Sequence, residues 1–209
     1  MSHDLRTPMN AIIGYAELME RHWGDNELTT NYLHKLKGAS QFLLALIGNV
    51  LEIARIESGK ETLNEAPWNL KKINDTLEIV LDREILNKQL HVARNIEIQH
   101  ADVYCDSLKI QEIIMNLVSN AIKYTPDGHS IHVTIREVAS DDVRKAKYVF
   151  ICEDTGIGMS KEYLPHIFEE FSREKTTTEN KIVGTGLGLP IVKSMIELMG
   201  GSIQVESTQ

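Results

Sequence analysis

Apolar residues recur at three- and four-residue steps from Leu5 through Met9, Ile12, Ala16 and Met19. That spacing stacks them along one side of a helix over residues 2 to about 21. "HWGDNELTT" (22–30) breaks the pattern with Gly24, Asp25 and Asn26. A second run, Leu33, Leu36, Ser40, Leu43, Ile47, Val50 and Ala54, again steps by threes and fours. Its mean is close to the heptad spacing of a helix packed lengthwise against others, and it predicts a helix from about 29 to 58. Two helices joined by a short turn form a hairpin. One copy cannot bury both apolar stripes, so the pattern predicts two copies paired in a four-helix bundle.

The texture changes after "SGKETLNEAPW" (58–68), a polar stretch that reads as a linker or short strand. Residues 70–88 read as helical, and "LHVARNIEIQ" (90–99) and "DVYCD" (102–106) as extended. "SLKIQEIIMNLVSNAIKY" (107–124) is a strong helix with Ser107 as its candidate cap. "SIHVTIREV" (130–138) alternates, "KYVFICED" (147–154) is a buried strand run, and a helix near 187–200 precedes a strand "SIQVES" (202–207). There is no internal repeat. Strands and helices interleave without the beat of a doubly wound parallel sheet. The predicted fold class is therefore α+β: a helical hairpin (1–60), a linker (61–68) and an α/β sandwich (69–209).

Composition narrows the function classes. The 209 residues carry a net charge of −8, with 42% hydrophobic and 25% charged. That is ordinary globular usage, and its sign argues against a broad nucleic-acid face or a polybasic lipid anchor. "FLLALIG" (42–48) is too short to cross a bilayer, and no signal peptide is visible. Cys105 and Cys152 fit no metal or redox spacing and read as buried thiols in a reducing cytosol. The expected location is cytoplasmic, without membrane contact by this segment.

Two glycine runs carry the candidate chemistry. "DTGIGM" (154–159) follows a strand directly, and "GTGLGL" (184–189) leads into a helix. Alternate glycines let backbone N–H groups approach a ligand, and a helix start beside them suits phosphate. Neither run has GxGxxG spacing, and no GxxxxGK[ST] occurs. A pair of tight turns would look the same in either loop alone. Asp154, just past a strand, could accept from an exocyclic amine and so read an adenine; a solvated loop aspartate is the alternative. Asn116, Asn120 and Lys123 share one face of the 107–124 helix. An amide oxygen there suits Mg2+, and Lys123 supplies a point charge near phosphates. A solvated polar stripe is the alternative for that helix alone.

The ordered set "SHDLRTP" (2–8), "NLVSNAIKY", "DTGIGM", "FEEF" (168–171) and "GTGLGL" resembles the H, N, first glycine, F and second glycine boxes of bacterial sensor histidine kinases. The match runs in the family's order from Ser2 to about Ser207. It is especially similar to the hybrid type, whose H box often continues "MNAIIG" as here. The resemblance implies a dimerisation and histidine phosphotransfer hairpin followed by a Bergerat-fold (GHKL-type) ATP-binding domain. On it, His3 is the phosphoacceptor and Asp4 its adjacent acid. Asn116, Asn120, Lys123 and Tyr124 form the N box, with Asn120 on Mg2+. Asp154 holds the adenine amine, with Gly156 and Gly158 against the base. Gly184, Gly186 and Gly188, with Thr185 and Leu187 between them, frame the triphosphate of ATP. Phe168 and Phe171 pin a lid at 172–183, and Arg173 meets the γ-phosphate. The implied partners are a second copy of the chain and a response-regulator receiver domain.

"SHDLRTP" then has a physical reading. The apolar pattern turns Leu5, Met9 and Ile12 inward and leaves His3 and Thr7 outward, one helical turn apart. Asp4 could accept the Nδ1 hydrogen of an imidazole and leave Nε2 as nucleophile. Pro8 cannot donate to the carbonyl of Asp4, which predicts a bend just beyond His3. In the family, an acid followed three residues later by Thr or Asn supports phosphatase activity, and Asp4 and Thr7 fit; simple helix surface is the alternative for Thr7. ATPase relatives place a glutamate base where this chain has Asn116, which disfavours ATP hydrolysis. Pro190 replaces the family's usual alanine, a change tolerated in a first helical turn. The family's upstream helix and final strand are not seen, so the chain reads as a fragment. An alternative function is an ATP-binding dimeric scaffold or phosphatase that transfers no phosphate to itself.

Overall fold

The computed structural model describes residues 2–142, 144–174 and 184–209, apart from the side chains of residues 2, 3, 76 and 78–83. Helix α1 (Ser2–Arg21) runs unbroken through Pro8, and α2 (Asn26–Glu57) returns alongside it. The second helix starts three residues earlier than its apolar pattern suggests. The reason is Asp25, whose Oδ1 accepts from the Leu28 N–H at 3.0 Å and caps the first turn. Near this turn Tyr15 stacks on Tyr32, centroids 6.4 Å apart, and locks the two helices together.

The hairpin leaves much apolar surface open. Ile13, Leu33, Leu44, Ile47 and Leu51 are exposed, and so is Met9, which the sequence pattern turned inward. Leu5 packs as expected, but Met9 faces away from everything in a single chain. The buried positions of α2 are Leu46 and Ile53, two heptad-spaced residues outside the predicted stripe. They face the second unit, with Leu5 of α1 packed against the same cluster. One 18-residue window of α2 reaches a mean hydropathy of 1.4, long and apolar enough to cross a membrane, which the short run 42–48 alone did not suggest. Asn49, Glu52 and Arg55 interrupt the apolar residues of this helix.

The second unit begins inside the expected linker. Strand β1 (Ala66–Asn69) pairs antiparallel with β3 (Asp102–Cys105). Between them lie α3 (Lys72–Asn87) and β2 (His91–Glu97). After α4 (Ser107–Tyr124) come β4 (Ser130–Val138), β5 (Lys147–Asp154), a 3-10 turn (Leu164–His166) and α5 (Gly188–Leu198). The main sheet has the order β2-β4-β5, with β2 parallel and β5 antiparallel to β4. The cap of α4 is Asp106 rather than Ser107: its Oδ1 accepts from the Lys109 N–H at 3.1 Å. Residues 202–207 form no strand, because they have no ladder partner among the described residues.

Two cores result. In the first, Ile131, Val133 and Ile135 of β4 pack under Ile73 and Leu77 of α3 and Ile114, Val118 and Ile122 of α4. This alternation in β4 against helical faces is the α/β sandwich that the pattern predicted. The second core joins Leu46 and Ile53 of α2 to Ile113 of α4 and Leu187, Ile191, Val192 and Met195 at α5. Beside it Lys109 Nζ lies 2.8 Å from Glu61 and 4.0 Å from Glu52. Burial, with Glu112 next, raises the pKa of Glu52 above its ordinary value.

A candidate nucleotide site between helix α4 and two glycine loops

Helix α4 is held by one face and offers the other. Val118, Ala121 and Ile122 are buried in the first core. Asn116, Asn120, Lys123 and Tyr124 are half-buried and line a groove.

The first glycine loop rests on the end of this helix. Asp154 closes β5, and its Oδ1 accepts from the Gly156 N–H at 2.9 Å. The next amide, Ile157 N–H, donates to the Tyr124 carbonyl at 3.2 Å. A Cβ on Gly156 would stand 2.5 Å from Asp154 Oδ1 and 2.7 Å from the Tyr124 oxygen, so only glycine fits. Gly158 has φ +66°, and Met159 N–H donates to Ser207 Oγ at 2.9 Å.

The second loop lies along the polar face of α4. A Cβ on Gly184 would meet Lys123 Nζ at 2.5 Å, and one on Gly188 would meet Asn116 Oδ1 at 3.2 Å and Asn120 Nδ2 at 3.9 Å. Gly186, with φ +70°, passes so close to Phe171 that its carbonyl accepts the Phe171 N–H at 3.0 Å. Leu187 N–H donates to Thr185 Oγ1 at 3.2 Å, and the Leu187 side chain anchors the loop in the second core. The N-terminus of α5 follows at once, adding a positive dipole end.

Two cationic side chains, Lys123 and Arg173, line the groove near each other. Burial lowers the pKa of Lys123, and Arg173 lowers it further, while burial raises that of Tyr124. Lys123 Nζ sits 4.9 Å over the Tyr124 ring. An anion placed here would relieve the repulsion between Lys123 and Arg173. The cavity as a whole, about 2780 Å³, exceeds the roughly 300–1,000 Å³ of a small-molecule site. It runs on from the glycine loops along β5 to residues 196–208. The Cys152 thiol within it is pushed up to about 12 by burial and by Asp154 and Glu153, and stays protonated.

The residues present fit a nucleotide and Mg2+. The glycines form a cradle that a Cβ would fill. Among the described residues no cluster of three His, Cys, Asp or Glu side chains could hold a metal. The side-chain oxygens beside the second loop are Asn116 Oδ1 and the Tyr124 hydroxyl, with the Asn120 amide alongside. Such a set suits Mg2+ that takes most of its ligands from phosphates and water.

Comparison with known families shows where the chain belongs. Residues 105–209 match the family of histidine kinase-, DNA gyrase B- and HSP90-like ATPases, and residues 1–59 match the His Kinase A phospho-acceptor domain. The chain belongs to the sensor histidine kinases. Over 209 residues the kinase is 32% identical to the autoinducer 2 sensor kinase/phosphatase LuxQ of Vibrio parahaemolyticus, covering 99% of this chain and 24% of LuxQ. The chain thus spans about a quarter of the length of the curated relatives it matches. Full-length ShkA in complex with AMPPNP is similar in structure, with a TM-score of 0.71 and 26% identity over 100% of this chain and 42% of that one. ThkA in complex with the response regulator TrrA has the same fold, with a TM-score of 0.71 and 22% identity over 96% of this chain and 53% of that one.

The remaining expected site residues of the kinase lie elsewhere. His3, Asp4 and Thr7 occupy the first turns of α1; Asp4 and Thr7 do not line the groove, and the His3 side chain is outside the described residues. Leu5, between them in sequence, packs on the second core, the one that also holds Leu187. Phe171 joins that core too, in the left-handed region with φ 60°. The Phe168 ring instead lies under Lys193 Nζ at 5.5 Å. Of the expected lid, residues 175–183 fall outside the described residues. The motifs missed Tyr163, whose hydroxyl donates to the Ser172 carbonyl at 3.2 Å, and Ser160, whose N–H donates to Glu174 Oε1 at 3.1 Å. They also missed Lys88, thirty-five residues upstream of Lys123.

Proposed function

We propose that this chain binds ATP with Mg2+ between α4 and the two glycine loops and transfers the γ-phosphoryl group to His3. The observation that carries the reading is that both glycine loops close on one helix, the first on its end at the Tyr124 carbonyl and the second on its polar face, with Lys123 and Asn116 against Gly184 and Gly188. Asp154 reads the adenine amine, with Gly156 and Gly158 beside the base. Asn120 is the Mg2+ ligand, and Asn116, Lys123, Tyr124 and the Gly184–Gly188 backbone hold the triphosphate. When bound, Mg2+ neutralises charge on the phosphates. Arg173 adds positive charge at the γ end.

In the transfer, the Nε2 lone pair of His3 forms the new P–N bond. The bond from the γ-phosphorus to the bridging oxygen breaks, and ADP leaves with that electron pair. Asp4 accepts the Nδ1 hydrogen and so fixes the nucleophilic nitrogen. The phosphoryl group then passes to an aspartate of a response-regulator receiver; in phosphatase action Thr7 positions water for attack on that aspartyl phosphate, which releases inorganic phosphate and the free carboxylate. Residues 1–60 act as the dimerising phosphotransfer unit, 61–68 as linker and 69–209 as the catalytic unit. A second copy of the hairpin covers the exposed stripe of Ile13, Leu33, Leu44 and Leu51, and the chain works at the cytoplasmic side of its full-length protein.

Incubation with γ-labelled ATP and Mg2+ tests this. Acid-labile, base-stable label is expected on the wild type and absent from His3→Gln. Bound nucleotide without label would favour a scaffold over a kinase.

A further inference from the structure

The turn between α3 and β2 holds a side chain that reaches across to α4. The Lys88 ammonium donates to the carbonyls of Ile122 at 2.8 Å, Lys123 at 3.2 Å and Thr125 at 2.9 Å. An ammonium has three N–H donors, and all three are used, so none remains for a ligand. Its acceptors are carbonyls at the end of a helix, which lack partners within the helix and carry the negative end of its dipole.

The carbonyl this ammonium skips is that of Tyr124. It faces the other way and accepts Ile157 N–H, in the first glycine loop, at 3.2 Å. The same oxygen is the atom that a Cβ on Gly156 would approach to 2.7 Å. One carbonyl therefore carries the loop, while its neighbours on both sides are gripped by Lys88. The grip is itself braced. Lys88 N–H donates to Glu84 O at 3.1 Å, its own carbonyl accepts Gly128 N–H at 2.9 Å, and Gln89 turns the chain at φ 53°.

We propose that Lys88 is a positioning residue for ATP: it fixes the last turn of α4, and through the Tyr124 carbonyl it sets where the Asp154–Gly156 loop meets the base. The proposal rests on the nucleotide reading above. It concerns affinity rather than chemistry, because the Lys88 ammonium spends its three hydrogens on carbonyls at the end of α4. A helix cap that served stability alone would shift melting without changing the ATP dependence of folded enzyme.

The test is the ATP dependence of self-labelling in the wild type, Lys88→Arg, Lys88→Gln and Lys88→Met, below each variant's melting temperature. The expected KM for ATP rises about tenfold in Lys88→Met with kcat within about twofold, because a charge-assisted contact that acts on binding is lost. Lys88→Gln, with one donor group, falls between, and Lys88→Arg, with charge and reach retained, stays near wild type. An unchanged KM in folded variants overturns the proposal, as does a fall in kcat at constant KM. If Lys88→Met does not fold, Lys88→Gln decides by the same criterion. A wild type whose labelling shows no saturation by ATP overturns the nucleotide reading, and this proposal with it.

Discussion

The two cores of this chain are built from different reaches of sequence. The first lies between Leu70 and Ile135, inside the sandwich. The second needs Leu46 and Ile53 from the hairpin together with Ile191 and Met195 from the far end of the chain. The first holds the sandwich together. The second fastens the sandwich to α2, and it includes Leu187 of the second glycine loop and borders Leu5 beside His3. Helix α1, which carries His3, and the second glycine loop thus rest on one cluster, which ties the position of one to the other. The hairpin differs again. It buries little within one chain and leaves Leu44, Leu51 and Ile13 in solvent.

Substitutions can separate these three arrangements. The largest effect is expected for Leu44→Asp with Leu51→Asp, which places charges in the surface that a second copy would cover. Size-exclusion chromatography with light scattering should show a dimer for wild type and a monomer for the double variant. A dimer in both would show that copies pair elsewhere. Next come the two cores. Ile131→Ala, at a fully buried site of the first, should cost about 3–4 kcal/mol in urea unfolding, by lost transfer energy and cavity. Leu46→Ala in the second should cost about 2–3 kcal/mol, less because α2 can shift toward the gap. The two should also differ in kind. Ile131→Ala should weaken ATP binding through the fold of the sandwich. Leu46→Ala should leave it intact and slow transfer to His3, and equal loss of binding in both would erase the distinction between the cores.

The smallest effect concerns Glu52, on the hairpin side of the junction. Burial, then Glu112, raises its pKa above the ordinary 4.5. Between that value and the raised one, the folded chain binds a proton that the unfolded chain has released. Stability attributable to this group therefore falls as pH rises through that window, and stays lowered above it. Glu52→Gln should raise the melting temperature at neutral pH by about 2 °C or less and flatten the pH dependence above pH 4.5. A lower melting temperature in Glu52→Gln would mean that its attraction to Lys109 outweighs the desolvation.

The sequence made the hairpin, the N-box helix and both glycine loops legible, because each rests on local periodicity or on glycines whose space is filled by near neighbours. Its failures have specific causes. The cap of α4 was assigned one residue late because Asp106 and Ser107 are both good caps, and only the Asn64 N–H on the second Asp106 oxygen, at 2.9 Å, separates them. Met9 was placed inward because a 3.6-residue period cannot say which of two faces has a partner within the same chain. Residues 202–207 alternate like a strand, but alternation does not supply a neighbour to pair with. Lys88 carries no motif, since its work depends on carbonyls, which every residue type provides.

On the proposed function, ATP lies in the groove beside Asp154 and Asn120. Calorimetric titration of the wild type with a non-hydrolysable ATP analogue and Mg2+, set against Asp154→Asn, tests it most directly. The account predicts saturable binding to the wild type and a loss of about tenfold or more in the variant, whose amide can no longer offer a charged acceptor to the adenine amine. Equal affinity in the two proteins, or no binding to a folded wild type, would contradict it.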